Sequence, residues 1–165
     1  MKLFKQKILF LCLCLFSISL PLHSENNLLG ISLNFPGLGI RYVCHTKNIF
    51  ELRLQYFSTE EYTTKLLGIR YYRILSNIKN KSLAYYLGAE GAFFEHSEKF
   101  LPSNVSYSAN RYLFGIYIGI EKFLSQKFSI NFDLGPYIAT GTIGTYSSSM
   151  FDFVLNVSIN YYFGR

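Results

Sequence analysis

Apolar and polar side chains alternate with a period of two along most of the chain after residue 25. The clearest run is Met150 to Phe163. Phe151, Phe153, Leu155, Val157, Ile159, Tyr161 and Phe163 share one face, and Asp152, Asn156, Ser158, Asn160 and Tyr162 share the other, with Val154 as the apolar exception. Successive side chains of an extended chain point to opposite faces, so this pattern predicts a two-faced strand. Seven earlier runs repeat it. Leu29, Ile31, Leu33 and Phe35 alternate with Gly30, Ser32 and Asn34; Leu38, Ile40, Tyr42 and Cys44 alternate with Gly39, Arg41 and Val43. Phe50, Leu52, Leu54 and Tyr56 are set against Glu51, Arg53 and Gln55, and Leu67, Ile69 and Tyr71 against Gly68, Arg70 and Tyr72. Tyr85, Leu87, Ala89 and Phe93 oppose Tyr86, Gly88, Glu90 and Phe94; Phe114, Ile116, Ile118 and Ile120 oppose Gly115, Tyr117, Gly119 and Glu121; Phe128, Ile130, Phe132 and Leu134 oppose Ser129, Asn131, Asp133 and Gly135.

The breaks between runs are of two kinds. His45 to Asn48, Ser76 to Ser82 and Leu124 to Lys127 read as turns, whereas Ser58 to Thr64, His96 to Asn110 and Gly141 to Ser149 read as longer polar loops. Short turns at one end and longer loops at the other are the habit of an up-and-down membrane barrel. Pro36-Gly37 departs from it by falling on the long-loop side. It reads either as a type II turn between two strands or as a kink in one long strand spanning residues 28–44. Met150 to Phe163 is long enough to cross a bilayer obliquely, since a tilted membrane strand takes about 9–11 residues.

The polar faces carry Arg41, Arg53 and Arg70 together with Glu51, Glu90, Glu121, Asp133 and Asp152, among glycines and tyrosines. Eight strands close on a lumen just wide enough for side chains to fill, so these residues suit the inside and the apolar faces suit lipid. A closed ring also leaves no unpaired edge in hydrocarbon. Buried charges are costly unless paired, so a salt-bridge network that plugs the lumen is the expected role of the eight charged residues, with an ion path as the alternative. A soluble eight-stranded ligand carrier with its sidedness reversed is a further alternative.

Composition adds an address. Lys2, Lys5 and Lys7 precede the apolar run Ile8 to Leu20, and Pro21-Leu22-His23-Ser24 ends on a small residue. This reads as a signal peptide, residues 1–24, followed by one barrel domain, 25–165. Cys12 and Cys14 lie inside the apolar run, which argues against a lipid-anchored N-terminus. The chain has 16 basic and 10 acidic residues, and without the three leader lysines the balance is 13 to 10. Basicity therefore belongs mostly to the leader and gives no support for nucleic-acid binding. Cys44 alone remains after the leader, so no disulfide framework is expected, and no His/Cys/Asp cluster has metal-ligand spacing.

A signal peptide, eight alternating strands, arginines with acidic partners in the lumen and a last strand ending in aromatics together resemble the small eight-stranded bacterial outer-membrane β-barrels. The outer-membrane protein A transmembrane domain and the opacity-type proteins are of this kind. The resemblance covers the whole chain after the leader and is one of pattern. It implies an all-β, antiparallel, up-and-down transmembrane barrel in the bacterial outer membrane, in contact with outer-membrane lipid. It also implies insertion by the outer-membrane assembly machinery, which reads a C-terminal strand closing on an aromatic residue. Tyr161 and Phe163 would be that signal here, although Gly164 and Arg165 follow.

Catalysis and cofactors are not expected. His96-Ser97, flanked by Glu95 and Glu98, is the one segment that points toward acyl-transfer chemistry of the lipid A deacylase kind. Adjacent residues on an extended strand face opposite ways, however, so this His and Ser do not form a nucleophile and base. A structural or surface-interaction role is the expectation, with the 96–110 loop as the contact region and a lipid-modifying barrel enzyme as the alternative. Tyr42, Tyr56, Tyr71, Tyr85, Phe128, Tyr161 and Phe163 suit interfacial girdles.

Overall fold

The alternation closes into a ring. The structure, a computed structural model, describes residues 27–35, 37–45, 47–75, 82–100, 105–143 and 146–163. The proposed leader, Pro36, all of the Ser76 to Ser82 turn except Ser82, residues 101–104 and 144–145 of the expected loops, and the last two residues lie outside the described residues. Eight strands follow in order: β1 (Leu28–Asn34), β2 (Gly37–Cys44), β3 (Asn48–Ser58), β4 (Tyr62–Ile74), β5 (Leu83–Phe100), β6 (Val105–Phe123), β7 (Phe128–Ile143) and β8 (Tyr146–Phe163). Each pairs antiparallel with the next, and β1 closes on β8. The stretch around Pro36-Gly37 is thus a hairpin joining two strands. Gly37 has φ +135°, and a Cβ there would sit 2.7 Å from the Leu54 carbonyl oxygen, so both backbone and space require glycine.

The ring is strongly staggered. Paired residues run from Gly30 through Arg41, Glu51, Arg70, Glu90, Gly115 and Tyr137 to Asp152 on β8, yet Gly30 itself pairs with Tyr162, ten residues further along. A shear of that size over eight strands tilts them by roughly 40° and leaves an interior that side chains can fill.

Burial is inverted relative to a soluble protein. Arg41, Glu121, Ser129 and Asn160 are wholly enclosed, while Ile116, Ile118, Phe151, Phe153 and Leu155 are each at least 60 % exposed. The apolar faces point outward on every strand, as the alternation predicts. A small apolar cluster does lie inside, where Val43, Ile49, Tyr72, Ile74, Ala84, Tyr86 and Tyr162 close the end that carries the short turns.

One expectation needs correction. The segments read as loops at Ser58 to Thr64, His96 to Asn110 and Gly141 to Ser149 are mostly strand. β4 begins at Tyr62, β5 and β6 pair from Phe100 with Val105 onward, and β7 and β8 pair up to Ile143 with Tyr146. Ladder hydrogen bonds do not depend on side-chain polarity, and where both faces meet water the alternation that betrays a strand disappears. The asymmetry between the two ends is therefore one of strand extension. It is also uneven around the ring. β1 pairs with β8 only over Leu29–Asn34, and the Phe35 amide donates to the Val157 carbonyl at 3.2 Å. Beyond that point β8 runs on to Tyr146 without β1 beside it, so the wall dips to a notch above the β1–β2 hairpin.

Candidate functional site: the lumen

The inward faces meet in a hydrogen-bonded core of two clusters. In the one nearer the short turns, Arg41 of β2 lies between Glu51 of β3 and Glu121 of β6, 3.6 Å and 3.2 Å away. Glu51 also accepts from Asn34 Nδ2 at 2.7 Å. Glu121 accepts from Tyr162 Oη at 2.6 Å, from Asn160 Nδ2 at 3.2 Å and from the Ser129 hydroxyl. The Arg41 guanidinium also stacks over the Tyr72 and Tyr162 rings, 5.5 and 5.6 Å from their centroids.

In the second cluster, Glu90 of β5 accepts from Arg53 Nη1 at 2.9 Å, Arg70 Nε at 2.8 Å and Tyr117 Oη at 2.7 Å. Arg70 also donates to Tyr72 Oη at 3.0 Å and lies 3.8 Å from Asp133. Asp133 accepts from Tyr86 Oη at 3.0 Å and Asn156 Nδ2 at 2.6 Å. Asn131 links the clusters, donating to Asp133 at 3.3 Å and accepting from Asn160 at 2.9 Å. Four carboxylates face three arginines. The surplus negative charge is met by hydroxyl and amide donors, the arrangement that lets charge persist away from water.

Glycines make room for the tyrosines that complete this network. A Cβ on Gly88 would lie 2.8 Å from the Tyr72 ring, and one on Gly30 would lie 2.9 Å from Tyr162. Gly88 pairs across the ladder with Tyr72 and Gly30 with Tyr162, so each ring lies over its partner's bare backbone.

Seven of the eight charged residues expected in the lumen are brought together: Arg41, Glu51, Arg53, Arg70, Glu90, Glu121 and Asp133. Asp152 is not. It is exposed, and its Oδ1 accepts only the Phe153 amide, at 2.7 Å, among the bonds of described residues. The reason is the stagger. Asp152 shares the inward face and even the hydrogen-bonded row of Glu90, but that row climbs around the ring and reaches β8 at the rim. Of the uncharged partners, Asn156 was legible from its inward parity and joins the network through Asp133; the tyrosines and the other asparagines were not individually legible, although an inward Tyr beside a cross-strand Gly is the signal that would have marked two of them.

Above the second cluster the lumen changes character. A cavity of about 380 Å³ lies there, with Arg53, Arg70, Glu90, Tyr117 and Asn156 below and Leu66, Phe94, Leu113, Ala139, Met150 and Val154 around it. Arg111 also lines it, and its Nε lacks a hydrogen-bond partner.

Ser97 is not a partner of His96, as the strand geometry demands. His96 instead meets Thr64 across the β4–β5 ladder, with Nδ1 3.0 Å from Thr64 Oγ1, and its Nε2 is 3.0 Å from Glu98 Oε1. Hydroxyl, imidazole and carboxylate are thus in line. Among the described residues no group of three or more His, Cys, Asp or Glu has metal-binding geometry, and Cys44 is a free thiol.

On the outer surface, Phe128 and Tyr161 lie 4.9 Å apart and Tyr161 and Phe163 5.1 Å, beside the short turns. At the other end Phe93 and Tyr112 meet at 5.7 Å, just short of the ion pair between Lys65 and Glu95 at 3.0 Å. The apolar belt thus has aromatic side chains in contact at each edge.

No protein-family model matches the chain, and no curated protein is similar to it in sequence. Among solved structures it is similar to the N-terminal β-barrel domain of Pseudomonas aeruginosa OprF, at 12% identity with a TM-score of 0.58, covering 84% of this chain and 98% of that one. It is also similar to Neisserial surface protein A (NspA), at 12% identity with a TM-score of 0.49, covering 82% of this chain and 92% of that one. The first likeness shows the fold alone, a closed β-barrel, in agreement with the eight antiparallel strands described above.

Proposed function

We propose that this chain is an integral protein of the bacterial outer membrane whose role is structural or surface-interacting, without catalysis. The observation that carries the reading is the inversion of burial: a continuous outward apolar belt, edged by aromatic side chains, encloses a lumen of paired charges. Water offers no reason to expose so much apolar surface, whereas hydrocarbon does. The leader at residues 1–24 would deliver the chain across the inner membrane. Tyr161 and Phe163 would present the last strand to the assembly machinery, and outer-membrane lipid would be the immediate partner. Surface contacts would be made by the 96–110 region, where β5 and β6 reach their outer ends. A soluble carrier reading has no support in the direction of the apolar faces.

The charge network makes the lumen a plug. In this reading purified barrel migrates faster on gels unheated than boiled, is recovered in the outer-membrane detergent extract, and gives no regular channels in planar bilayers. Quantitative recovery in the soluble periplasmic fraction would contradict membrane insertion, and large uniform conductance steps would contradict the plug.

The Thr64–His96–Glu98 line favours a second reading, a lipid-modifying barrel enzyme. Thr64 lies in the β4–β5 ladder, where backbone amides are engaged by neighbouring strands and leave no evident pair of donors for an oxyanion. Lipid A mass spectra that are identical with and without the gene are the expected outcome. A change in acylation abolished by Thr64→Ala would establish the second reading.

A further inference from the structure

We infer that the cavity in the outer half of the lumen is a side-opening site for a single hydrocarbon chain of an outer-leaflet lipid, entered through the notch above the β1–β2 hairpin; this rests on the membrane reading above. Three observations converge on it. Apolar side chains depart from the alternation at one level of the barrel. Leu66, Phe94, Leu113, Val154 and Met150 occupy inward positions on β4, β5, β6 and β8, and all line the same space of about 380 Å³. That volume is within the range of about 300–1,000 Å³ usual for small-molecule sites. A lumen that is only a polar plug has no need of an apolar layer.

The second observation is that Phe35 and Leu155 line this cavity too, although Phe35 is 87% and Leu155 69% exposed. Leu155 is an outward residue of β8, neighbour in sequence to the inward Val154. Both can border one cavity only where the wall is open between inside and outside, and that is where β1 stops. Phe35 bonds to Val157, and beyond it no described residue of β1 flanks β8.

The third is depth. Beyond Val157 the outward positions of β8 remain apolar through Leu155, Phe153 and Phe151. The opening therefore lies at the outer edge of the apolar belt, with lipid chains beside Leu155 and Phe153 and the exposed Asp152 at its upper lip. The ligand class follows from the lining. Arg53 and Arg70 beneath are already engaged by Glu90, so the floor offers a polar stop. The walls take methylenes, and Arg111 among them, its Nε without a hydrogen-bond partner, suits the oxygens at the root of the chain. The edge of β8 above Val157 has backbone donors and acceptors that β1 does not pair, suited to the ester or amide at the root of an acyl chain.

The test is native mass spectrometry of the full mature chain reconstituted in nanodiscs of dipalmitoyl phosphatidylethanolamine. Activation is raised until lipids on the outer surface are stripped. One lipid retained per barrel is expected, and its loss when the cavity is filled by Val154→Phe with Leu113→Phe. Leu66→Phe serves as a second filling variant, and the outward Leu134→Phe should retain the lipid. Heat-modifiable migration verifies that each variant is folded. Absence of a retained lipid, retention unchanged in folded filled variants, or a lipid-free dimer joined through the β8 edge would each overturn the proposal. Recovery of the chain in buffer without detergent would overturn the membrane reading beneath it, and is read before any lipid is counted.

Discussion

Glu90 is the residue on which the upper cluster turns. Two arginines and a tyrosine donate to its two oxygens, and Arg53 has no other carboxylate within ion-pairing distance among the described residues. Removing one partner of a buried pair leaves an uncompensated charge, which costs about 3–5 kcal/mol, far more than the pair contributes over an apolar filling. Glu90→Ala is therefore expected to lower the unfolding free energy in lipid vesicles by about that amount, measured by urea titration. Asp152→Asn, at the open rim, should change it by less than about 0.5 kcal/mol. A large effect of Asp152→Asn would return that carboxylate to the network. At this scale the sequence was informative about faces and silent about heights. Period-two parity placed seven charges correctly because a strand has only two sides. It could not tell that Asp152, although on the inward face, stands exposed at the rim, because the ten-residue stagger, a property of closure, lifts that position above the charge network.

Among elements, β1 and β2 stand apart. They are the two shortest strands, Leu28–Asn34 and Gly37–Cys44, and the closing β1–β8 ladder spans only Leu29–Asn34, whereas β5 and β6 pair from Leu83 with Lys122 to Phe100 with Val105. Local opening draws on the elements with the fewest supporting bonds. Amide hydrogen exchange in micelles should therefore proceed fastest, among the belt-spanning segments, on β1 and on the facing residues 158–163 of β8. Protection of β1 equal to that of β6 would contradict this ordering. The early turn at Pro36-Gly37 was visible in the sequence as the break that fell on the wrong side. Its consequence, a notch in the wall, needed the register. Conversely, the polar stretches around His96 to Asn110 looked like loops because their alternation fades, although their backbones pair. Strand ends above the apolar belt leave no trace in a hydrophobic pattern.

For the whole molecule, closure, shear and inverted burial form one argument. Among the described residues every strand pairs with both neighbours across the apolar belt except where β1 stops beside β8, the outside is apolar between its aromatic edges, and the inside holds ion pairs that would be idle in a soluble core. The fold class was legible because every strand repeats the same two-faced pattern. The lumen's bonding was not, because it joins residues as far apart as Arg41 and Glu121 whose meeting depends on the stagger. The central claim, that the outward face meets hydrocarbon, is open to one direct measurement. The chain has no tryptophan. Single tryptophans placed at Phe114, Ile116, Ile118 and Ile120 of β6 can therefore be read one at a time in vesicles of lipids brominated along their acyl chains. Strong bromine quenching at all four, greatest at Ile116 and Ile118, with protection from aqueous iodide, is the predicted result. Iodide quenching without bromine quenching at those positions would contradict it.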